Sequence, residues 1–363
     1  MDALTICATD LNLIGKFIYN VLYKWILGWG SGISWIGPFG VTVVIFTLML
    51  KLITSPFDVW QKSLMRKNTK IMEVMKPELD KAQKQCGDNK ELYMQKQRDI
   101  FKKHNYSMFA SCLPMIITLA IFITVFGGFN SAVKHYNSSV FENLQEIYEE
   151  VYYAEYDIAI DAQADSELSE AEANRAAKTI AIAAAEAKVL DSYKPERILL
   201  TTNIFMPDTW AKPIPTAEDY AGKGIGKLNI PEADKTMYDR VMKPIMDEYN
   251  KPGVWNGYLI FPILAFILNI FSTRLMGSQQ AGAAPPMPGQ TEEQKKAQES
   301  QQKMMTYMMP IMMAVFAFLY STAFTLYLLL NSGITTVFNL IYNKVAKVKD
   351  AKEKDHYLST TLK

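Results

Sequence analysis

Long apolar segments alternate along this chain with strongly polar ones. The clearest apolar segment covers residues 34–57 and carries one charge, Lys51, in its later half. About 20 apolar residues are enough for a helix to cross a bilayer. Four further apolar segments share this character: residues 108–130, 254–275, 304–320 and 323–345. The pattern predicts an all-α integral membrane protein with a core of five transmembrane helices.

The polar regions between these segments predict the other parts of the molecule. Residues 1–33 contain an amphipathic stretch with Asn12, Lys16, Asn20 and Lys24 on one face. This pattern indicates an N-terminal helix lying in the membrane surface, and a true span is the weaker alternative. Residues 58–107 are charged, have helical periodicity and break around Gly87, as in a helical hairpin standing in water. Three further polar regions follow: an insertion at 131–253, a Gln-, Pro- and Gly-rich loop at 276–303 and a tail at 346–363.

The charges of the two large polar regions predict the orientation in the membrane. Residues 58–107 carry 12 basic and seven acidic side chains, a net charge of +5. Short basic loops beside spans mark the cytoplasmic side. Residues 131–253 carry 22 acidic and 13 basic side chains, a net charge of −9, and are expected outside. The N-terminus is then outside, and the C-terminal tail and the 276–303 loop are cytoplasmic.

Composition narrows the function classes. The net charge of the whole chain is only +1, which gives no sign of sequence-specific nucleic-acid binding. Three scattered cysteines and three scattered histidines do not have the spacing of a disulfide framework or a metal site. The spans carry no paired catalytic carboxylates, and the chain shows no Ser/His/Asp set or P-loop. We therefore expect a protein that is not an enzyme and that uses no cofactor or metal.

Polar residues inside the spans suggest a polar groove that opens to the cytoplasm. They are concentrated in the cytoplasmic halves of the spans: Lys51, Thr118, Asn269, Asn331, Thr335 and Asn339. Polar side chains at such depths usually face the bundle interior or a wet cavity. Two alternatives stay open at this stage. Lys51 could snorkel to the headgroups, and the Asn and Thr side chains could simply bond neighbouring helices.

Several stretches resemble the YidC/Oxa family of membrane protein insertases. They are TLMLKLITSPF with the hairpin that follows, FKKHNYSMFASCLPMIITLAIFITVF, MMTYMMPIMMAVFAFL and LYLLLNSGITTVFNLIYNKV. The family pattern has a charge five residues before a proline, here Lys51, a Cys-x-Pro, here Cys112, and an asparagine in the last span, here Asn331. The family's groove charge is usually arginine, so the lysine keeps the charge but loses the bidentate fork. The largest departure is the 131–253 insertion, whose role the resemblance does not supply.

The resemblance implies a five-span core with a hydrophilic groove facing the cytoplasm and a mobile hairpin that receives substrates. It makes the groove the favoured interpretation of the six polar residues. On the hairpin, the residues expected to contact substrates are Arg66, Lys67, Met72, Met75 and Tyr93. The implied partners are nascent membrane proteins, the lipid bilayer, the ribosome and the Sec translocon, at the bacterial plasma (inner) membrane.

The sequence therefore predicts an insertase and chaperone that receives nascent membrane segments from the cytoplasm and releases them into the bilayer. Two other classes are the alternatives. One is a transporter or channel with a cytoplasmic vestibule, against which the absence of internal repeats counts. The other is a membrane scaffold organised by the 131–253 domain.

Overall fold

The computed structural model describes residues 11–29, 35–87, 89–106, 109–163, 169–224, 227–230, 234–280 and 309–361. The helices are α1 (Leu13–Lys16), a π-helix (Phe17–Tyr23), α2 (Lys24–Leu27), α3 (Pro38–Cys86), α4 (Lys90–Lys103), α5 (Phe109–Asp161), α6 (Glu170–Ser192), α7 (Ala217–Ala221), α8 (Lys235–Tyr249), α9 (Ile260–Gln280), α10 (Met309–Leu319) and α11 (Thr322–Thr361). Apart from these, the described residues form only isolated β-bridges. The predicted all-α class is confirmed for this part of the chain.

Among the described residues, three helices are long and apolar enough to cross a membrane: Pro38–Cys86, Ile116–Asp161 and Thr322–Lys349. Helix α9 contains a shorter apolar stretch, Ile260–Ser272. The segment predicted as the fourth span, residues 304–320, lies partly outside the described residues, as does most of the 276–303 loop. The five-span core therefore stays a prediction.

The chain folds as two compact units. The first contains Met1–Phe46, Thr124–Pro262 and Phe316–Leu326, and the second contains Thr47–Ile123, Ile263–Val315 and Tyr327–Lys363. The first unit includes the 131–253 region, and the second includes the predicted groove residues and the hairpin.

Helices α6 and α8 pack together in the first unit. A capping box opens α6, in which the Ser169 hydroxyl and the Glu172 carboxylate each satisfy a backbone N–H. The side chains that α6 buries recur every four residues: Ala177, Ala181, Ala185 and Val189. Those of α8 are larger: Tyr238, Val241, Met242 and Ile245. The small residues of α6 leave room for the larger ones of α8.

The N-terminal helical segment, Leu13–Leu27, has one buried face, and both polar and apolar side chains are exposed on the rest of its surface. Its buried apolar side chains are Ile18, Tyr19, Leu22, Tyr23 and Ile26. The polar positions are exposed, as their spacing predicts: Asn12, Lys16, Asn20 and Lys24. Four apolar side chains remain exposed as well: Leu13, Val21, Trp25 and Leu27. These are the side chains that the predicted interfacial position would bury in lipid.

The first turns of two apolar helices lie in the first unit and receive hydrogen-bond partners from residues 196–208 of the insertion. The first N–H groups of a helix have no partner inside the helix. At the start of α3, Phe39 donates its backbone N–H to the buried Glu196 carboxylate at 3.1 Å. At the start of α9, Phe261 donates its backbone N–H to the buried Asp208 carboxylate at 2.7 Å. Both carboxylates lie at the positive end of a helix dipole, where negative charge is stabilised.

The same stretch also supplies the first turn of α11. The backbone N–H of Thr322 donates to the Met206 carbonyl at 3.0 Å, and that of Ala323 donates to the Ile204 carbonyl at 2.9 Å. The Thr322 hydroxyl adds a second bond to the Met206 carbonyl at 2.7 Å. One short stretch of the insertion thus fixes where three apolar helices begin.

Glu196 gives the first unit a dependence on pH. Burial raises the pKa of its carboxyl, and the bonds from Phe39 and the Tyr23 hydroxyl oppose that rise. Because the folded-state pKa lies above the unfolded value, the stability that this proton contributes is complete below the unfolded pKa. It is lost as pH rises through the folded pKa. We expect the melting temperature to fall over this window, and Glu196→Gln to flatten that fall in a thermal-melt series.

Glu218 is the matched control for this pH series. It is exposed, and hydrogen bonds from Lys227 and Lys235 lower its pKa to about 2. Its contribution is therefore present above the unfolded pKa and is lost as pH falls towards 2. Glu218→Gln should alter the acid side of the profile only. If Glu196→Gln and Glu218→Gln shifted the same limb, the buried carboxyl would not be the cause.

In the second unit, α3 continues without interruption through the end of the predicted span and into the first arm of the hairpin. Pro56 lies inside it and has no N–H to donate to the Leu52 carbonyl. The Ser55 hydroxyl donates to that carbonyl instead, at 3.1 Å. The carbonyl that Pro56 leaves without its helical donor is thus satisfied, and the 49-residue helix joins the predicted span to the first arm of the hairpin.

The hairpin turns where its sequence predicts. Helix α3 ends at Cys86, and α4 begins at Lys90 with Asn89 as its N-cap. The arms bury a small core of Met72, Met75, Leu79 and Phe101. A salt bridge between Lys103 and Glu78 at 3.0 Å joins the arms at their surface.

We expect Met75→Ala to loosen the hairpin by about 3 kcal/mol, since a fully buried methionine leaves a cavity when truncated. Hydrogen exchange of the α4 amides measures this loss. Val74→Ala is the matched control, because the adjacent Val74 side chain is 63% exposed. Equal effects of the two substitutions would contradict the packing described here.

Candidate functional site

A line of charged side chains runs along α3 in the second unit. Asp58 and Lys62 lie seven and eleven residues after Lys51, which places each of them within about 20° of Lys51 around a helix. The Lys51 ammonium lies 3.4 Å from the Asp58 carboxylate. The two side chains are 15% and 27% exposed, so this ion pair is largely withdrawn from solvent. Lys51 extends along the helix as a snorkelling lysine would, but its partner is a carboxylate of the same helix.

Lys62 connects this line to the last apolar helix. Its ammonium donates to the side-chain carbonyl of Asn339 on α11. It also lies 4.5 Å from the centre of the Phe338 ring and 5.2 Å from that of Tyr342. Two aromatic faces and an amide oxygen are a favourable environment for a partly buried cation. One turn further along α3, Arg66 donates to the Ala346 carbonyl at 3.0 Å.

A polar seam joins α9 and α11 in the second unit. The Ser332 hydroxyl donates to the Asn269 side chain at 3.0 Å. Lower on the same seam, the Asn339 amide donates to the Ser272 hydroxyl at 3.5 Å. Ser272, Ser332 and Asn339 are buried. These contacts are of the helix-bonding kind that was the alternative interpretation of the polar residues.

The structure brings only some of the predicted groove residues into mutual contact networks. Asn269 and Asn339 belong to the seam, and Asn339 also meets the charged line through Lys62. Asn331 and Thr335 bond each other within α11, where the Thr335 hydroxyl donates to the Asn331 carbonyl at 2.6 Å. Thr118 has an exposed side chain on α5. The groove itself stays a prediction.

Sequence reasoning missed four residues of this site: Asp58, Lys62, Ser272 and Ser332. Asp58 and Lys62 lie beyond the apolar segment, so a search for charges inside spans passes over them. Their seven- and eleven-residue spacing from Lys51 is the signal that could have found them, since it places all three on one helix face. The serines carry no such signal, because small hydroxyl residues occur throughout membrane helices.

The hairpin residues that were predicted to contact substrates differ in how exposed they are. Met72 and Met75 lie in the core between the two arms, so contact with a substrate would require the arms to part. Arg66 is engaged with α11. Lys67 is exposed and Tyr93 is half-buried. Lys67 and Tyr93 are therefore the predicted residues that the closed hairpin presents most directly.

Comparison with known proteins gives a family for this arrangement. The model of the family described as 60Kd inner membrane protein matches residues 32–185 and 216–351. The match enters the 131–253 region from both sides, further than the resemblance stated above. Residues 196–208, which supply the starts of the three helices, lie between the matched stretches.

Three curated relatives illustrate the similarity, and each of them is named membrane protein insertase YidC. A protein of Fusobacterium nucleatum named membrane protein insertase YidC is 27% identical over 125 residues, which are 34% of this chain and 59% of that protein. A protein of the same name from Clostridium tetani is 34% identical over 93 residues, 26% of this chain and 40% of the relative. Another from Leptospira interrogans is 28% identical over 100 residues, 28% of this chain and 15% of the relative.

The matched stretches thus span between about a seventh and three fifths of these relatives. The family model nevertheless covers well over half of this chain. Together with the long apolar helices, it identifies a membrane-embedded protein of the bacterial inner membrane. The chain belongs to the 60Kd inner membrane protein family, which is the YidC/Oxa family that its motifs resemble.

Proposed function

We propose that this protein is a membrane protein insertase and chaperone that receives nascent membrane segments from the cytoplasm and releases them into the bilayer. The observation that carries the proposal is the partly buried Lys51–Asp58 pair, set on one face of α3 with Lys62. A charge inside an apolar helix is by default a candidate functional residue. The family match and the names of the relatives support the same conclusion.

Lys51 provides an exchangeable partner for an acidic group of the substrate. A polar segment that enters the bilayer loses hydration at every polar group. A charge-assisted hydrogen bond to the Lys51 ammonium offsets part of that loss for a carboxylate. Between substrates Asp58 compensates the lysine, since a buried charge without a partner is strongly destabilising. At 3.4 Å the pair is loose enough for a substrate carboxylate to replace Asp58.

The seam between α9 and α11 and the hairpin complete the proposed path. Asn269, Asn331, Thr335 and Asn339 line the groove with polar groups, and Thr118 faces it from α5. The hairpin meets the substrate first, through Lys67 and Tyr93. In this arrangement the hairpin and the C-terminal tail are cytoplasmic and contact the ribosome, the N-terminus is outside, and the Sec translocon is a further partner.

Photocrosslinking from position 51 tests the proposal. The full-length protein carries a photoreactive amino acid in place of Lys51 and meets a stalled ribosome–nascent chain with a short membrane segment. The control places the same group at Ile53, which is 74% exposed on the same helix two residues away. Nascent-chain adducts from position 51 and lipid adducts from position 53 are expected. Lipid adducts alone from both positions would overturn the groove as a substrate path.

A further inference from the structure

The first unit carries two exposed apolar loops that its own packing does not explain. One is the turn at Leu199 and Leu200, whose side chains are 57% and 63% exposed. The other holds Trp210, which is 62% exposed. Both loops lie in the insertion, and in the stretch between the two parts of the family match.

The leucine turn is held in an unfavourable conformation. Leu199 has φ 50°, in the left-handed region that bulky side chains rarely adopt. Turns of this kind usually place glycine, asparagine or aspartate there. The turn is closed by paired bonds between Ile198 and Thr201, at 3.1 and 2.8 Å. In water this turn would be unfavourable for two reasons: its backbone is strained at Leu199, and two leucine side chains are exposed.

The leucine turn is fixed to the start of α3. The Leu199 N–H donates to the Trp35 carbonyl at 2.8 Å, and Gly37 donates to the Arg197 carbonyl at 2.8 Å. Trp35 is itself 53% exposed. Because α3 is one of the helices long and apolar enough to cross a membrane, its first residues belong at the membrane boundary. The two leucines are therefore held at that boundary.

The Trp210 loop is fixed to the start of α9 in the same way. Its neighbours on either side accept backbone bonds from the residues just before that helix: Asn256 donates to Ala211 at 2.8 Å, and Gly257 donates to Thr209 at 3.0 Å. Tyr258 nearby is 54% exposed. Tryptophan and tyrosine at the start of an apolar helix are typical of the bilayer interface.

Asn256 joins the two loops into one structure. Its side chain is fully buried, accepts from the Asn203 N–H at 2.8 Å and donates to the Asn203 and Pro207 carbonyls. Its own carbonyl accepts from the Thr202 N–H, directly after the leucine turn. The hydrogen bonds of Asn256 therefore hold the leucine turn and the Trp210 loop in fixed positions relative to each other.

We infer that the Leu199–Leu200 turn and the Trp210 loop form a lipid-binding edge, with which the insertion rests in the bilayer interface where α3 and α9 begin. The occupant is the headgroup and upper acyl region of the lipids. A long cationic side chain suits this surface: Arg197 is exposed beside the leucine turn, where its guanidinium can reach the headgroups. The inference needs the protein to be embedded in the membrane but does not depend on its insertase activity.

Lipid photocrosslinking tests this edge in the full-length protein. A diazirine amino acid replaces Leu200 or Trp210, the protein is illuminated in native membranes, and lipid adducts are measured by mass spectrometry. Leu52, 74% exposed in the apolar part of α3, is the positive control. Ile158, 62% exposed, is the negative control. Phe129 stands at the end of the predicted span 108–130. Ile158 follows it by 29 residues of α5, which is roughly 43 Å of helix rise away from the membrane boundary.

We expect lipid adducts from positions 200 and 210 at least fivefold above those from position 158, approaching those from position 52. Lipid adducts no more frequent than at position 158 would overturn the inference. Protein adducts in place of lipid adducts would also overturn it, since a protein would then cover the edge. All four positions are exposed, so the probes leave the core intact.

Discussion

Replacing Asp208 by alanine is expected to lower the free energy of unfolding by about 3 kcal/mol, because two charge-assisted hydrogen bonds are lost in a buried site. The Asp208 carboxylate accepts from the Tyr258 N–H at 2.8 Å and from the Phe261 N–H at 2.7 Å, and its residue is 1% exposed. Removing it leaves both donors without a partner at the start of α9. Urea unfolding of the protein in detergent micelles measures the loss.

Asp234→Ala is the matched control for this substitution. Asp234 also accepts two backbone N–H bonds, from Thr236 and Met237, at the start of α8. It is exposed, so water can replace the lost acceptor, and we expect a loss of only about 1 kcal/mol. If Asp208→Ala were no worse than Asp234→Ala, burial of the cap would not be what stabilises the helix start.

The contrast between these two aspartates shows what sequence could and could not predict. Asp234 stands directly before a helix in the pattern of an N-cap, so local spacing suffices to identify it. Asp208 lies 53 residues from its donor Phe261. At α11 the acceptors are the backbone carbonyls of Ile204 and Met206, groups that every residue type carries. Neither composition nor periodicity can predict contacts between residues so far apart in the chain, and the family resemblance supplied no role for the insertion.

The helices of the second unit were more predictable. Apolar and polar periodicity placed the hairpin turn next to Gly87, because the break between two periodic stretches is a local feature of the sequence. Periodicity did not separate the core of the hairpin from its surface, since Met72 and Met75 were expected to contact substrates and lie in the core. Depth within the spans selected Lys51 and Asn339. It could not select Asp58 or Lys62, whose roles come from a shared helix face and from aromatic rings on α11.

Replacing Lys51 by methionine is expected to reduce insertion of a substrate with an acidic residue in its membrane segment by about tenfold. The loss corresponds to about 1.4 kcal/mol, the size of one charge-assisted hydrogen bond at the low end of its range. A substrate whose glutamate is changed to glutamine should lose much less. Lys51→Arg should retain insertion, because the charge is kept. Insertion into proteoliposomes, scored by protease protection, measures all three.

The double variant Lys51→Met with Asp58→Asn separates the loss of the cation from damage to the helix. Lys51→Met alone leaves the Asp58 carboxylate, 27% exposed, without its partner, and an unpaired buried charge is itself destabilising. The double variant removes that charge as well. If insertion of the acidic substrate stays low in the double variant, the ammonium acts on the substrate. If insertion recovers, the defect came from Asp58, and Lys51 serves the fold of α3 rather than the passage of substrates.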